Sequence, residues 1–503
     1  MAVDVAKPKP VTRYGTLVWP GQTALDTSEH CDDPAKAEVV DSEASTASGK
    51  NLIEENQIGS NVYNLLASSA DAPAESGILF AWWPRSNAWN RAQLVERTTR
   101  CLPSVRPSLD RVALPDISEV RELWENWSSL HSLDSNQAIW FPPLLEDSMI
   151  ADAALATCRM VLKAMFAEHD PDGPSCIYPM YLTHDIQVEA ALYSLHVIGD
   201  LEDHNLMPLS SAKAWMHPQI ARGDGPATSS LRDALSPSSF SVRGPYGYVA
   251  ITLEDLHTAW LRLQQECPPG TRLVLKPSSG SGGCGVILDA SEVDLDKFDF
   301  NSGASAILEE MVVGHELVQS PTLYMIGDMP CGLLSDQVLS KDGATNLGNK
   351  YPSKLRTDLF SVCVAAAQAV NKAWSLKANW GLDFVIDAKG IPIIVDLNMG
   401  RPNGNLAVRM WASRCPRLLS IYTSSWFIPL DGPNIQELTD ALRSEDLLWN
   451  GSEGAVVYQH SAGSVSSYAV ASSSGDSVLH DVLSKLTTLM LKRFGINIGA
   501  HEV

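Results

Sequence analysis

The chain has 503 residues, with 37 Lys and Arg against 59 Asp and Glu, giving a formal net charge of −22 at neutral pH. Such a charge repels phosphate backbones and anionic lipid, which argues against nucleic-acid and membrane-surface partners and means that any anionic ligand needs a local positive site. With 45% apolar and 19% charged residues the composition is that of a folded chain rather than a disordered one.

Residues 27–59 are acidic and rich in Ser, Ala and Asn without apolar periodicity, so 1–59 reads as a flexible N-terminal arm. The leading MAVDVAKPKPVTRY has no secretory h-region, and no later apolar run approaches the ~20 residues that span a bilayer. Nine cysteines without a CxxC spacing read as reduced thiols, consistent with a cytoplasmic protein. GILFAWWP (77–84), QAIWFPPL (137–144) and CIYPMYLT (176–183) are apolar-aromatic runs that read as buried strands. Between them lie helical patterns, one crowding Met160, Leu162, Met165 and Phe166. Another is capped by Asp185 and carries Val188, Ala191, Leu192 and Leu195. Strand–helix alternation predicts a parallel α/β domain over 60–210. A Gly/Pro/Ser-rich loop follows at 222–245, then a helix capped by Thr252 with Leu256, Ala259, Trp260 and Leu263 on its apolar face. Strand signals dominate 271–400, broken by a helix at 358–376. The remainder, 426–503, mixes a helix near 434–443, strand 455–460, a hairpin at 462–476 and a closing helix at 478–493. It reads as a small accessory domain.

Three stretches carry chemistry. In TRLVLKPSSGSGGCGVILD (271–289) a strand ends in Lys276, a Ser/Gly loop follows, and a second strand begins at Val286. Gly280, Gly282 and Gly285 match G-x-G-x-x-G, but a dinucleotide fingerprint requires a helix after the glycines, and here a strand follows. A protein kinase would require H-R-D and D-F-G, and a P-loop would require G-x-x-x-x-G-K-[ST]; none of these occurs. Two readings remain: a hairpin whose backbone N–H groups approach phosphate with a lysine at its base, or a flexible surface hairpin with a snorkelling lysine. In ILEEMVVGHEL (307–317), Glu309, Glu310 and Glu316 read either as nucleoside contacts beside an edge strand or as a solvated acidic strand end.

The third stretch is NWGLDFVIDAKGIPIIVDLNMGRPNGN (379–405), two apolar strands around the turn Asp387–Gly390. With Asp387 opposite Gly390, Asp383 faces Ile394, and alternation puts Ile394, Asp396 and Asn398 on one face with Asp383 diagonal to Asp396. Oxygen-only donors gathered there suit a hard cation such as Mg²⁺. Without such a cation they are the wet face of a hairpin.

In this order the three stretches resemble the ATP-grasp superfamily of ATP-dependent carboxylate–amine ligases, over about 210–410. The resemblance implies an α/β (α+β) architecture: a pre-ATP-grasp domain, then an ATP-grasp module at 211–425 whose two α+β subdomains clasp ATP. The Gly-rich hairpin subdomain would span about 250–320. It implies that ATP is held by Lys213, Lys276, the loop Ser278, Ser279, Gly280, Ser281, Gly282 and Gly283, the hinge Glu309, Glu310, Met311 and Val312, and the ribose acid Glu316. One or two Mg²⁺ ions, replaceable by Mn²⁺, would sit on Asp383, Asp396 and Asn398. Of the two catalytic candidates, Arg401 would act on the oxygens of the transferring phosphoryl group and the tetrahedral intermediate, and Lys276, with Lys213, would offset charge on the α/β-phosphates. Gln337, Asn349 and Lys350 would approach the substrates, with Lys354 an open candidate. Two departures stand out: Asp396 occupies a position where the family usually has Glu, and Arg401 lies three residues after Asn398 rather than two. The whole layout is similar to peptide- or amide-forming ligases of the pheganomycin-ligase type. That implies small-molecule carboxylate and amine substrates resembling amino acids or peptides, no nucleic acid, no membrane, and a reaction through an acyl phosphate with ADP released. The alternatives are an ATP-grasp kinase that stops at phosphoryl transfer and a nucleotide-binding scaffold with a decayed site. Oligomeric state is left open.

Overall fold

In a computed structural model of the chain, the residues described are 62–73, 75–82, 90–143, 152–167, 173–179, 182–199, 217, 220, 242–278, 285–300, 305–312, 320–331, 334–339, 346–353, 357–377, 379–399, 404–415 and 420–498. The first part runs α1 (Val62–Ser69), β1 (Ile78–Ala81), α2 (Arg91–Thr99), β2 (Arg111–Pro115), α3 (Ser118–His131), β3 (Ala138–Phe141), α4 (Ala153–Ala167), β4 (Cys176–Pro179), α5 (His184–Leu192) and β5 (His196–Val197). The strands form a parallel sheet in the order β3-β2-β1-β4-β5. Parallel strands buried on both faces are apolar, as β1, β3 and β4 are and as β2 is beyond Arg111, while the edge strand β5 leaves His196 exposed. Phe80, Leu114 and Tyr178 share a core with residues of α2 and α3, while Leu79, Ala113 and Ile177 pack with α4 and α5.

The helix α5 corrects an expectation. Its cap is Thr183, whose hydroxyl accepts from the Ile186 N–H at 3.3 Å. Its buried side is Ile186 and Ala190, leaving Val188 49% and Leu192 72% exposed. The segment carries two apolar stripes, and the neighbouring layer, not the periodicity, selects one of them.

The second sheet is antiparallel, built from β6 (Gly247–Ala250), β7 (Leu273–Pro277), β8 (Ile287–Leu288) and β9 (Ala306–Glu310) in the order β6-β9-β7-β8. It is covered on one face by α6 (Leu253–Glu266) and α7 (Glu292–Leu295). As expected, Thr252 caps α6: its hydroxyl accepts from the Asp255 N–H at 3.1 Å, and the Asp255 carboxylate accepts from the Thr252 N–H at 3.1 Å. Leu273, Leu275, Ala306 and Leu308 enter the core beneath α6. By the period of two, Lys276 and Glu309 therefore share the opposite face.

The third sheet has nine strands: β10 (Pro321–Ile326), β11 (Met329–Pro330), β12 (Ser335–Leu339), β13 (Asn346–Tyr351), β14 (Asn379–Ile386), β15 (Pro392–Met399), β16 (Ser420–Phe427), β17 (Glu453–Gln459) and β18 (Val465–Ser472). The path is β15-β14-β10-β12-β13-β16-β18-β17, with β11 on β10, so the last three strands extend the sheet that carries the acidic hairpin. Helix α8 (Thr357–Trp374) buries Phe360, Val364 and Val370 against Leu323, Leu382 and Leu397 on one face. The elements α9 (Gly404–Ser413), α10 (Ile435–Ser444) and α11 (Asp476–Phe494) complete the chain. Among the described residues no helix is long and apolar enough to cross a membrane.

One close approach holds β13 to β16. A Cβ placed on Gly348 would lie 1.9 Å from the Thr423 carbonyl oxygen, a backbone atom that cannot rotate aside. Gly348→Ala should therefore force the two strands apart and cost about 3 kcal/mol. Chemical denaturation would read this as a lowered midpoint, and an unchanged midpoint would mean that the strands yield freely.

Candidate functional site

The face of the second sheet turned away from α6 presents a buried ionic cluster. One oxygen of Glu309 pairs with Lys276 Nζ, and the other lies 3.0 Å from Nε2 of His217. Gly247 sits directly across from Glu309 in β6, and a Cβ there would come within 2.5 Å of the Glu309 Cβ, so a glycine leaves room for the carboxylate. Burial would push the Glu309 carboxyl up, but Lys276 and then His217 hold it down to about 2. Glu309 is thus ionised at neutral pH with its oxygens engaged inside the protein.

Glu310 points elsewhere. Its Oε1 accepts from the Tyr246 N–H at 2.8 Å and pairs with the Arg243 guanidinium. The backbone of Arg243 in turn pairs with β15: the Ile394 N–H donates to the Arg243 carbonyl at 2.9 Å. Arg243 therefore ties the sheet carrying Lys276 to the sheet carrying the acidic hairpin. The Met311 N–H is used internally, donating to the Arg272 carbonyl at 2.7 Å. At the start of the Gly-rich loop the Ser278 N–H donates to the Ser305 carbonyl at 2.7 Å, and its hydroxyl accepts from the Ser305 N–H at 2.9 Å, which locks the exit from β7.

The hairpin β14–β15 closes differently from the expected register. The Asp387 carboxylate accepts from the N–H groups of Lys389 at 2.8 Å and Ile391 at 2.9 Å, and Gly390 takes φ +78°. This three-residue turn sets Asp387 opposite Ile391 rather than Gly390. A bulge then follows: Phe384 pairs with Ile394 but Asp383 pairs with Asp396, leaving Val395 as the extra residue. The bulge sends Ile394 into the α8 core and puts Asp383 directly opposite Asp396, not diagonal to it. Asn398 shares the Asp396 face and its amide donates to Asp383 at 3.3 Å. On the other side Thr322 donates to Asp383 at 2.8 Å, and Gln337 donates to Thr322 at 3.0 Å. Two carboxylates set face to face repel, and the donors present are oxygens, a set that fits a hard divalent cation.

Of the substrate candidates, Gln337 joins this face, and Asn349, its partner in register, lies on the same side. Lys350 does not. Alternation turns it to the opposite face, where its Nζ lies 3.0 Å from the Asp476 carboxylate at the start of α11. Lys213, Ser279, Gly280, Ser281, Gly282, Gly283, Glu316, Lys354 and Arg401 lie outside the described residues. Sequence reasoning missed His217, Arg243 and Thr322. No spacing marks them, because each meets its partner across at least 61 residues of chain.

No family model matches the sequence, and no curated protein matches it either. Solved structures do. The ADP complex of an N5-carboxyaminoimidazole ribonucleotide synthetase superposes with a TM-score of 0.50 at 12% identity, covering 82% of this chain and 96% of that one. A biotin carboxylase–β-γ-ATP complex from Campylobacter jejuni gives 0.48 at 13% identity over 82% and 90% of the two chains. A carboxyaminoimidazole ribonucleotide synthase from Aspergillus clavatus complexed with ATP gives 0.47 at 10% identity over 83% and 98%. At these identities the likeness concerns architecture alone: a mixed α/β chain with one parallel and two antiparallel sheets, which is the ATP-grasp fold.

Proposed function

We propose that the chain is an ATP-dependent ligase that joins a carboxylate to an amine, releasing ADP and phosphate, with amino-acid-like substrates. The observation that carries this reading is the direct opposition of Asp383 and Asp396, with Asn398 on the same face. These three would hold Mg²⁺, or Mn²⁺ in its place; when bound, the metal supplies positive charge to the phosphate oxygens and fixes their orientation. Thr322 and Gln337 hold Asp383 at its station. Lys276, kept in place by Glu309, neutralises phosphate charge in a protein that is otherwise strongly anionic. Arg401 is assigned to the oxygens of the transferring phosphoryl group, and the loop 279–283 to covering the phosphates. A carboxylate oxygen attacks the γ-phosphorus and ADP departs. The amine then attacks the acyl carbon, phosphate leaves, and the amine proton passes to solvent. The residues act by orienting groups and neutralising charge rather than by covalent chemistry.

A matrix of amino acids offered as acyl donor and acceptor, scored by nucleotide product, phosphate and product mass, tests this reading. ADP together with a new amide is the expected result. ADP with a stable phosphorylated compound would make the protein a kinase, MgATP uptake without turnover would make it a scaffold, and AMP would contradict the proposed chemistry.

A further inference from the structure

His217 has no part in that mechanism, yet it reaches one of the most deeply buried carboxylates of the site. We propose that His217 is a positioning residue for the nucleotide: by holding the second oxygen of Glu309 it keeps the Lys276 ammonium available to phosphate. The proposal rests on the nucleotide-binding part of the ligase reading. Both side chains of the His217–Glu309 pair are more than nine-tenths buried, at 3% and 4% exposure, whereas Lys276 keeps 14%. A buried carboxylate needs donors on both oxygens. Lys276, two residues along β7 from Val274, the register partner of Glu309, pairs with Oε1, and Nε2 of His217 lies 3.0 Å from Oε2.

Without that second donor the whole charge of Glu309 falls on Lys276. The carboxylate can then turn to take the ammonium with both oxygens, drawing it into the sheet face and spending two of its three donors there. With His217 in place the charge is shared, and the partly exposed Lys276 ammonium keeps hydrogen-bonding capacity for a phosphate.

The test compares His217→Asn with His217→Gln. Asn places its amide nitrogen near the Nδ1 position and cannot reach Glu309, while Gln extends its nitrogen to the Nε2 position. MgADP affinity is measured by calorimetry on the full chain, with thermal midpoints taken alongside and Lys276→Ala as the reference for losing the lysine. His217→Asn should weaken MgADP binding about tenfold and raise KM for ATP with kcat within about twofold. His217→Gln should bind within about twofold of the native chain at a similar midpoint. Equal affinity in all three proteins would overturn the proposal, as would losses in both variants that track a fall in midpoint. If the native chain takes up no MgADP, the nucleotide-binding reading itself fails. If Lys276→Ala loses binding and His217→Asn keeps it, that reading stands and only the role of His217 falls.

Discussion

Asp396→Asn should reduce ATP-dependent turnover by about 100-fold or more while leaving the protein as stable as before, or slightly more so. The two signs follow from one geometry. Asp383 and Asp396 are directly paired across β14 and β15, so removing one charge relieves repulsion in the folded state. The asparagine keeps an oxygen for the Leu397 N–H, which Asp396 Oδ1 accepts at 3.0 Å. What it loses is half of the anionic charge that would attract a divalent cation. Turnover and thermal midpoint should therefore move in opposite directions, and magnesium titration should show a weakened requirement curve. Unchanged turnover would remove Asp396 from the metal site. A large fall in midpoint would mean that the carboxylate serves the fold.

Glu309→Leu should have the largest effect on stability, about 3–5 kcal/mol, because it leaves Lys276 and His217 facing an apolar side chain. Acid gives a second reading of the same pair. The folded carboxyl lies at about 2, below its ordinary 4.5, so the unfolded chain takes up this proton first as the pH falls. The stabilisation is complete above about pH 4.5 and is lost between there and about pH 2. Denaturant midpoints measured across that interval should fall for the native chain more steeply than for Glu309→Leu. Parallel curves would show that Glu309 gains nothing from its partners.

The hairpin 379–399 illustrates what was legible in the sequence and where legibility ended. Two apolar runs around Asp387–Gly390 announce the strands, and the acids on one of them announce a polar face. Register was another matter. It turns on whether the Asp387 side chain takes the Lys389 and Ile391 N–H groups and on a bulge at Val395, and neither leaves a mark in the pattern of apolar residues. The bulge is favoured because Ile394 and Leu397, three apart, can then both enter the α8 core. In α5 the ambiguity was of the same kind, since two apolar stripes competed and only the sheet beneath chose between them. The polar supports of the site were not legible at all. Arg243 is tied to Glu310, Thr322 to Asp383 and His217 to Glu309 by contacts between distant segments.

The chain by itself determined its local structure: which runs become strands, where Thr252 starts a helix, and that a lysine closes the strand before a glycine-rich loop. These features depend on neighbours a few residues apart, whose side-chain period and capping chemistry act over one or two turns. Only the tertiary structure decided that Glu309 pairs with Lys276, that Lys350 turns away from Gln337 and Asn349, and that β16, β17 and β18 extend the sheet of the acidic hairpin. Those outcomes depend on which buried charge finds a partner and which apolar face finds a cover. Burial makes an unpaired charge or an uncovered face costly, and that cost is set by the whole fold rather than by any short stretch of it.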